Sequence, residues 1–168
     1  LNTKLPEGVS VLSSRAVAPN FHARYQACGK TYSYRLLCSQ SRPAIDRRTT
    51  AWLPQDLDYQ AMRESCLHFL GERDFSALMD QGSATRRSKR RIYNIELQKQ
   101  ILGELSGTEY LLEITGDGFL YHMVRIIMGT LVEAGQAKID PSMIPDLLRA
   151  GDRTKMGMTM PPEGLILE

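Results

Sequence analysis

The sequence predicts an α+β domain: a mainly antiparallel sheet with helices packed on one face. Three observations predict it. Runs with period-two alternation recur between glycine and proline breaks, as strands do. Two later stretches suit helices by apolar spacing, and a third by its capping residues. The elements follow the order β-β-α-β-β-α-α-β, which fits a single layered α+β unit.

Each element has its own local reason. Residues 9–17 read as a strand after the turn chemistry of Pro6 and Gly8, and Pro19-Asn20 breaks it. A second strand is expected over about 30–38. Its alternation puts Tyr32, Tyr34 and Leu36 on one face and Ser33, Arg35 and Leu37 on the other. Residues 39–50 are polar, contain Pro43 and read as a loop. Residues 56–70 read as a helix, because Tyr59, Met62, Cys66 and Phe69 recur at spacings of three and four; Gly71 stops it. Residues 80–90 form a basic loop. Strands near 91–99 and 108–115, joined through Gly103 and Gly107, read as an antiparallel pair. Gly116-Asp117-Gly118 is a turn, and 119–134 is an apolar helix ended by Gly135. Asp140 is a good N-cap with Pro141 at the first helical position, so a last helix runs to Gly151. Residues 164–167 close the chain as a short strand.

The chain has 168 residues, 42% hydrophobic and 24% charged, enough for one domain with a real core. No apolar run approaches the roughly 20 residues of a membrane span. Leu1 to Pro6 lack the basic-then-apolar order of a signal peptide, and a start on Leu suggests a processed or truncated N-terminus. Cys28, Cys38 and Cys66 form no C-x-x-C pair, and His22, His68 and His122 have no zinc spacing. Buried free thiols in a reducing cytosol are the expectation.

The net charge is only +2, but the basic residues cluster. Arg86, Arg87, Lys89, Arg90 and Arg91 form one block; Arg35, Arg42, Arg47 and Arg48 share a second stretch. Such clusters suit phosphate contacts, and equally a solvated loop.

Gly116 to Gly129 reads GDGFLYHMVRIIMG. Arg125 stands alone in an apolar run. A guanidinium buried there needs a partner, either a carboxylate or a phosphate; a solvent-facing position on an amphipathic helix is the other reading. His122 reads as a core histidine, and Met123 and Met128 as core residues.

The run Phe119-Leu120-Tyr121-His122-Met123-Val124-Arg125 with Gly129 resembles the F-L-x-H-M-V-R-x-x-x-G element of the TruA family of tRNA pseudouridine synthases. Phe21-His22-Ala23-Arg24, Lys30-x-Tyr32-x-Tyr34, Asp74-Phe75 after Gly71, Arg90, and Glu163-Gly164-Leu165 resemble further elements of that family, in order. Leu1-Asn2-x-x-Leu5-Pro6 is similar to a segment that follows the family's catalytic loop. The resemblance implies a pseudouridine synthase-like fold and conversion of uridine to pseudouridine at tRNA positions 38–40 in the anticodon stem-loop. It also implies a cytoplasmic homodimer that binds tRNA across both subunits, with no cofactor, metal or membrane involvement. The target base would leave its stack for a fitted pocket.

The family's nucleophile is the aspartate of a G-R-T-D motif. None of the nine aspartates here follows G-R-T. The expectation is therefore the C-terminal part of the catalytic domain, inactive alone, with the nucleophile in an absent N-terminal half. By resemblance, Tyr32 is the active-site tyrosine, Arg125 the partner of the catalytic aspartate, and Leu165 the apolar wall of the uracil pocket. From the residues alone, Tyr32, Tyr34 and Leu165 could equally be core. Ile126 departs from the family's usual Asn. Arg86, Arg87, Lys89, Arg90 and Arg91 are expected on RNA phosphates. His22 and Arg24 are assigned to RNA as well, beside a structural hydrogen-bonding alternative. A non-catalytic RNA-binding module, or a small interaction domain without RNA, are the competing classes.

Overall fold

A computed structural model describes residues 1–80, 87–103 and 106–168. The strands are β1 (Lys30–Cys38), β2 (Ala51–Leu53), β3 (Gly71–Asp74), β4 (Lys89–Gly103), β5 (Gly107–Gly116) and β6 (Leu165–Leu167). The helices are α1 (Tyr59–Leu67), α2 (Met123–Gly135) and α3 (Ile144–Ala150). The α+β class is as the sequence predicts.

The sheet runs β2-β1-β5-β4-β3, and β6 also pairs with β1. Every pairing is antiparallel except β1 with β2. β1 is thus central. β5 lines one of its edges; β6 and β2 share the other, β6 against Tyr32–Tyr34 and β2 against Leu36–Cys38.

Tyr34, Leu36 and Cys38 project from one face of β1 and are fully buried, as are Leu112 and Ile114 of β5. Against them pack α1 and the apolar α2, whose Met123, Ile126, Ile127, Met128 and Leu131 are fully buried. The α1 stripe is as expected: Met62, Cys66 and Phe69 are in the core, and Tyr59 packs against it. Asp58 caps α1 by accepting from the Gln60 and Ala61 amides. No helix among the described residues is long and apolar enough to cross a membrane.

Four expectations are corrected. Residues 9–17 form no strand and lie exposed, because no strand of the described chain runs beside them to take their hydrogen bonds. Asn2 clips this segment, donating to the Val11 carbonyl and accepting its amide. The short strands β2 and β3 went unrecognised, since three or four residues carry too little alternation to read. α2 begins only at Met123, because His122 adopts a left-handed conformation (φ 62°) that cannot belong to the helix. Of the cysteines, Cys38 and Cys66 are buried but Cys28 is exposed. Burial pushes the Cys38 and Cys66 thiols up to about 12, so both stay protonated and inert.

Candidate active site

The middle of β1 and the start of α2 meet at a strap formed by residues 156–164. Two consecutive carbonyls of this strap organise the meeting. Arg125 Nε donates to the Met160 carbonyl at 2.5 Å, and the Met160 amide donates back to the Arg125 carbonyl at 3.3 Å. The Tyr34 hydroxyl donates to the Pro161 carbonyl at 2.6 Å.

The strap reaches this close only through glycines. A Cβ on Gly129 would stand 1.8 Å from the Met158 carbonyl oxygen, inside contact distance. One on Gly164 would stand 2.6 Å from both the Arg35 carbonyl oxygen and the Tyr34 ring. The glycines of M-V-R-x-x-x-G and E-G-L are therefore packing requirements of this junction. Gly157 adds to it, its amide donating to Thr130 Oγ1 at 3.1 Å.

Tyr34 and Tyr32 separate cleanly. Tyr34 is fully buried. Burial raises its hydroxyl far above the ordinary phenol range; the nearby Arg125 charge opposes that shift, and Glu163 adds to it. Tyr34 is a permanent donor that anchors the strap. Tyr32, two residues earlier on the same face, is half-buried. Its ring meets Phe119 edge-on, with centroids 5.2 Å apart. Leu165 opposes Tyr34 across β1–β6, and Leu167 opposes Tyr32, so Leu165 shares the face of both tyrosines. Tyr32 and Leu165 therefore share one face of β1, and Arg125 reaches the same strap near Tyr34. No carboxylate among the described residues pairs with Arg125.

Beyond Phe119 lies an open cavity of about 370 Å³, lined by Arg24, Tyr25, Lys30, Arg87, Lys89, Arg90, Asp117, Gly118 and Phe119. Four of the expected RNA residues thus converge: Arg24, Arg87, Lys89 and Arg90. Arg90 packs over Gly118 and donates to the Arg87 and Lys89 carbonyls. Lys30 and Phe119 belong here too; both stood in the sequence elements quoted above but carried no RNA assignment. His22 and Arg91 do not line the cavity. The His22 ring accepts the Arg24 and Tyr25 amides at 3.3 Å, which shapes the turn presenting Arg24. Arg91 follows Arg90 on β4, and strand alternation turns its side chain to the other face. Arg86 lies outside the described residues.

A polar cluster at the start of α2 has no signal in the sequence. Asp80 takes His122 Nδ1 at 2.8 Å, Arg153 Nε at 2.7 Å and the Thr159 hydroxyl at 2.8 Å. Arg153 also donates to the Gly157 carbonyl and to Thr159. Partial burial works to raise the Asp80 carboxyl, but the His122, Arg153 and Thr159 hydrogen bonds outweigh it and hold it at about 2. The cluster pins the strap from its far end. Asp74 and Phe75 are likewise structural: Phe75 is fully buried, and Asp74 accepts the Ser76 amide. Among the described residues no group of three His, Cys, Asp or Glu could hold a metal ion.

A half-buried tyrosine, an arginine with no carboxylate partner among the described residues and a cavity lined by basic side chains make up the candidate site, and comparison with known proteins gives the family. The family model described as tRNA pseudouridine synthase matches residues 66–168. The chain is 40% identical over 168 residues to tRNA pseudouridine synthase A 2 of Clostridium perfringens, covering all of this chain and 66% of that protein. It is also 40% identical over 168 residues to tRNA pseudouridine synthase A of Clostridium kluyveri, with the same coverage. Against tRNA pseudouridine synthase A of Methylococcus capsulatus it is 37% identical over 166 residues, 59% of that protein's length. The chain belongs to the tRNA pseudouridine synthase family. It spans just under two thirds of the length of the two clostridial relatives.

Proposed function

We propose that this chain is the C-terminal part of a tRNA pseudouridine synthase. The whole enzyme acts on uridines 38–40 of the anticodon stem-loop, in the cytoplasm, as a homodimer. The observation that carries the reading is Arg125, held in place by Met160 and pairing with no carboxylate among the described residues.

In this reading the nucleophile is an aspartate from residues outside this chain, and the chain alone is inactive. Arg125 supplies the opposite charge that keeps that carboxylate ionised and aimed at the sugar carbon. Its Nε bond to the Met160 carbonyl fixes the guanidinium plane and leaves the terminal N–H groups for the carboxylate. Tyr32 lies against the flipped uracil, held edge-on by Phe119, and its hydroxyl assists proton transfer as the base is detached, turned and rejoined through carbon. Leu165 walls the pocket. Arg24, Lys30, Arg87, Lys89 and Arg90 hold backbone phosphates next to it, reading shape and charge.

The test is direct. Full-length protein incubated with a tRNA transcript should produce pseudouridine at one or more of positions 38–40, while this chain alone should produce none. No pseudouridine from the full-length protein would overturn the reading.

A further inference from the structure

The second basic stretch, Arg42 to Arg48, takes no part in the site described so far. In the fold it closes over the outer strand β2. A cavity of about 460 Å³ there is lined by Arg42, Arg47, Trp52, Pro161 and Glu163, among others.

Three features of this cavity point to a ligand. First, Trp52 is a fixed platform. Its indole N–H is already taken by the Ser39 carbonyl at 3.0 Å and the Ser39 hydroxyl at 3.2 Å, so the ring cannot rotate away. Second, the Arg42 guanidinium stacks 5.0 Å from the centre of that ring. Neither Arg42 nor Arg47 forms an ion pair or hydrogen bond among the described residues, so their N–H groups remain available. Third, Glu163 lines the same cavity and is likewise unpaired.

The carboxylate decides between ligands. A simple anion attracted by two arginines would be repelled by Glu163. A nucleotide satisfies all three groups: its phosphate pairs with Arg42 and Arg47, its base stacks on Trp52 or on the Arg42–Trp52 pair, and a base N–H donates to Glu163. A duplex keeps its base faces stacked inside the helix, so the base must be unpaired.

The cavity also borders the strap of the candidate active site. Pro161 and Glu163 line it, and Gly164 and Leu165 follow at once in the chain. Along β1, β2 begins opposite Leu36, four residues from Tyr32, roughly 13 Å at strand spacing.

We propose that Arg42, Arg47, Trp52 and Glu163 form a subsite for one unpaired nucleotide of the substrate RNA, other than the uridine being modified. This rests on the reading of the chain as part of an RNA-modifying enzyme.

The experiment uses full-length enzyme and tRNA. Binding and hydroxyl-radical footprints are measured for wild type and for R42E/R47E. Both arginines are exposed, so charge reversal there leaves the core intact. The expected result is at least tenfold weaker binding, with protection lost at one or a few unpaired nucleotides and kept around the modified uridine. Unchanged affinity and footprint would overturn the subsite and leave the cavity to some other partner; so would a loss of protection spread evenly over the tRNA.

Trp52 offers a second measurement that needs no charge reversal. It is the one tryptophan in these 168 residues. A short single-stranded RNA should quench its fluorescence, read as the difference between wild type and Trp52→Phe, and inorganic phosphate should not. No RNA quenching, or equal quenching by phosphate, would also overturn the proposal. Wild-type pseudouridine formation is the control: if it occurs and these results fail, only the subsite falls; if it does not occur, the proposed function falls as well.

Discussion

Arg125 and Tyr34 hang from neighbouring carbonyls of one strap, which leaves Tyr32 as the accessible aromatic of β1. Tyr32→Phe keeps the edge-on contact with Phe119 and removes only the hydroxyl. In full-length protein it should lower the rate of pseudouridine formation while the melting temperature stays within a few degrees of wild type; unfolding would return Tyr32 to the core. Asp80 makes a pH prediction. Its folded carboxyl titrates near 2, below the roughly 3.9 of an unfolded chain. The stabilisation is therefore complete above about pH 4 and is lost as pH falls toward 2. Asp80→Asn should remove about 1–2 kcal/mol at neutral pH, allowing for partial solvation, and flatten the acid limb of a stability–pH curve. A limb of unchanged steepness would refute it. At this scale the sequence was half legible. Arg125 was conspicuous because a charge in an apolar run is costly. Asp80 was not, because its partners His122, Arg153 and Thr159 are 42 to 79 residues away in sequence.

At the scale of elements, the contact between α2 and the strap sets the site. Gly129 and Gly157 let the two backbones touch. A methyl at position 129 must displace Met158 and, two residues on, the Met160 carbonyl that orients Arg125. Gly129→Ala should therefore cost about 1–3 kcal/mol in stability. It should also reduce turnover by more than the lost stability explains. Thermal melts and single-turnover rates check this together; a stable variant with wild-type turnover would contradict it. β1, α1 and the β4–β5 hairpin were readable because each carries its own alternation, periodicity or glycine turn. Residues 9–17 follow turn residues as a strand can, but a turn before a segment supplies no partner strand. Conversely, β2 and β3 are made strands by their neighbours and not by their own composition.

Across the whole molecule, a chain of net charge +2 still gathers five basic residues into one cavity beside Tyr32 and two more beside Trp52. The fold achieves this by making β1 an interior strand with partners on both edges. One end of β1 then meets the basic cavity through Phe119, and its other edge carries the strap and β2. The ordered family elements made the fold and the family legible, and they singled out Tyr32, Arg125 and Leu165 as the candidate site. The convergence of Arg24 and Lys30 with Arg87–Arg90 was not, since only the folded sheet brings residues some sixty positions apart together. The central claim is that Arg125 awaits a carboxylate supplied from outside these residues. The measurement that tests it most directly compares Arg125→Ala with wild type in the full-length protein, following both pseudouridine formation and tRNA affinity. The account predicts turnover reduced by at least a thousandfold with affinity changed by less than about threefold, near the size of a modest contact. Wild-type turnover in Arg125→Ala would contradict it.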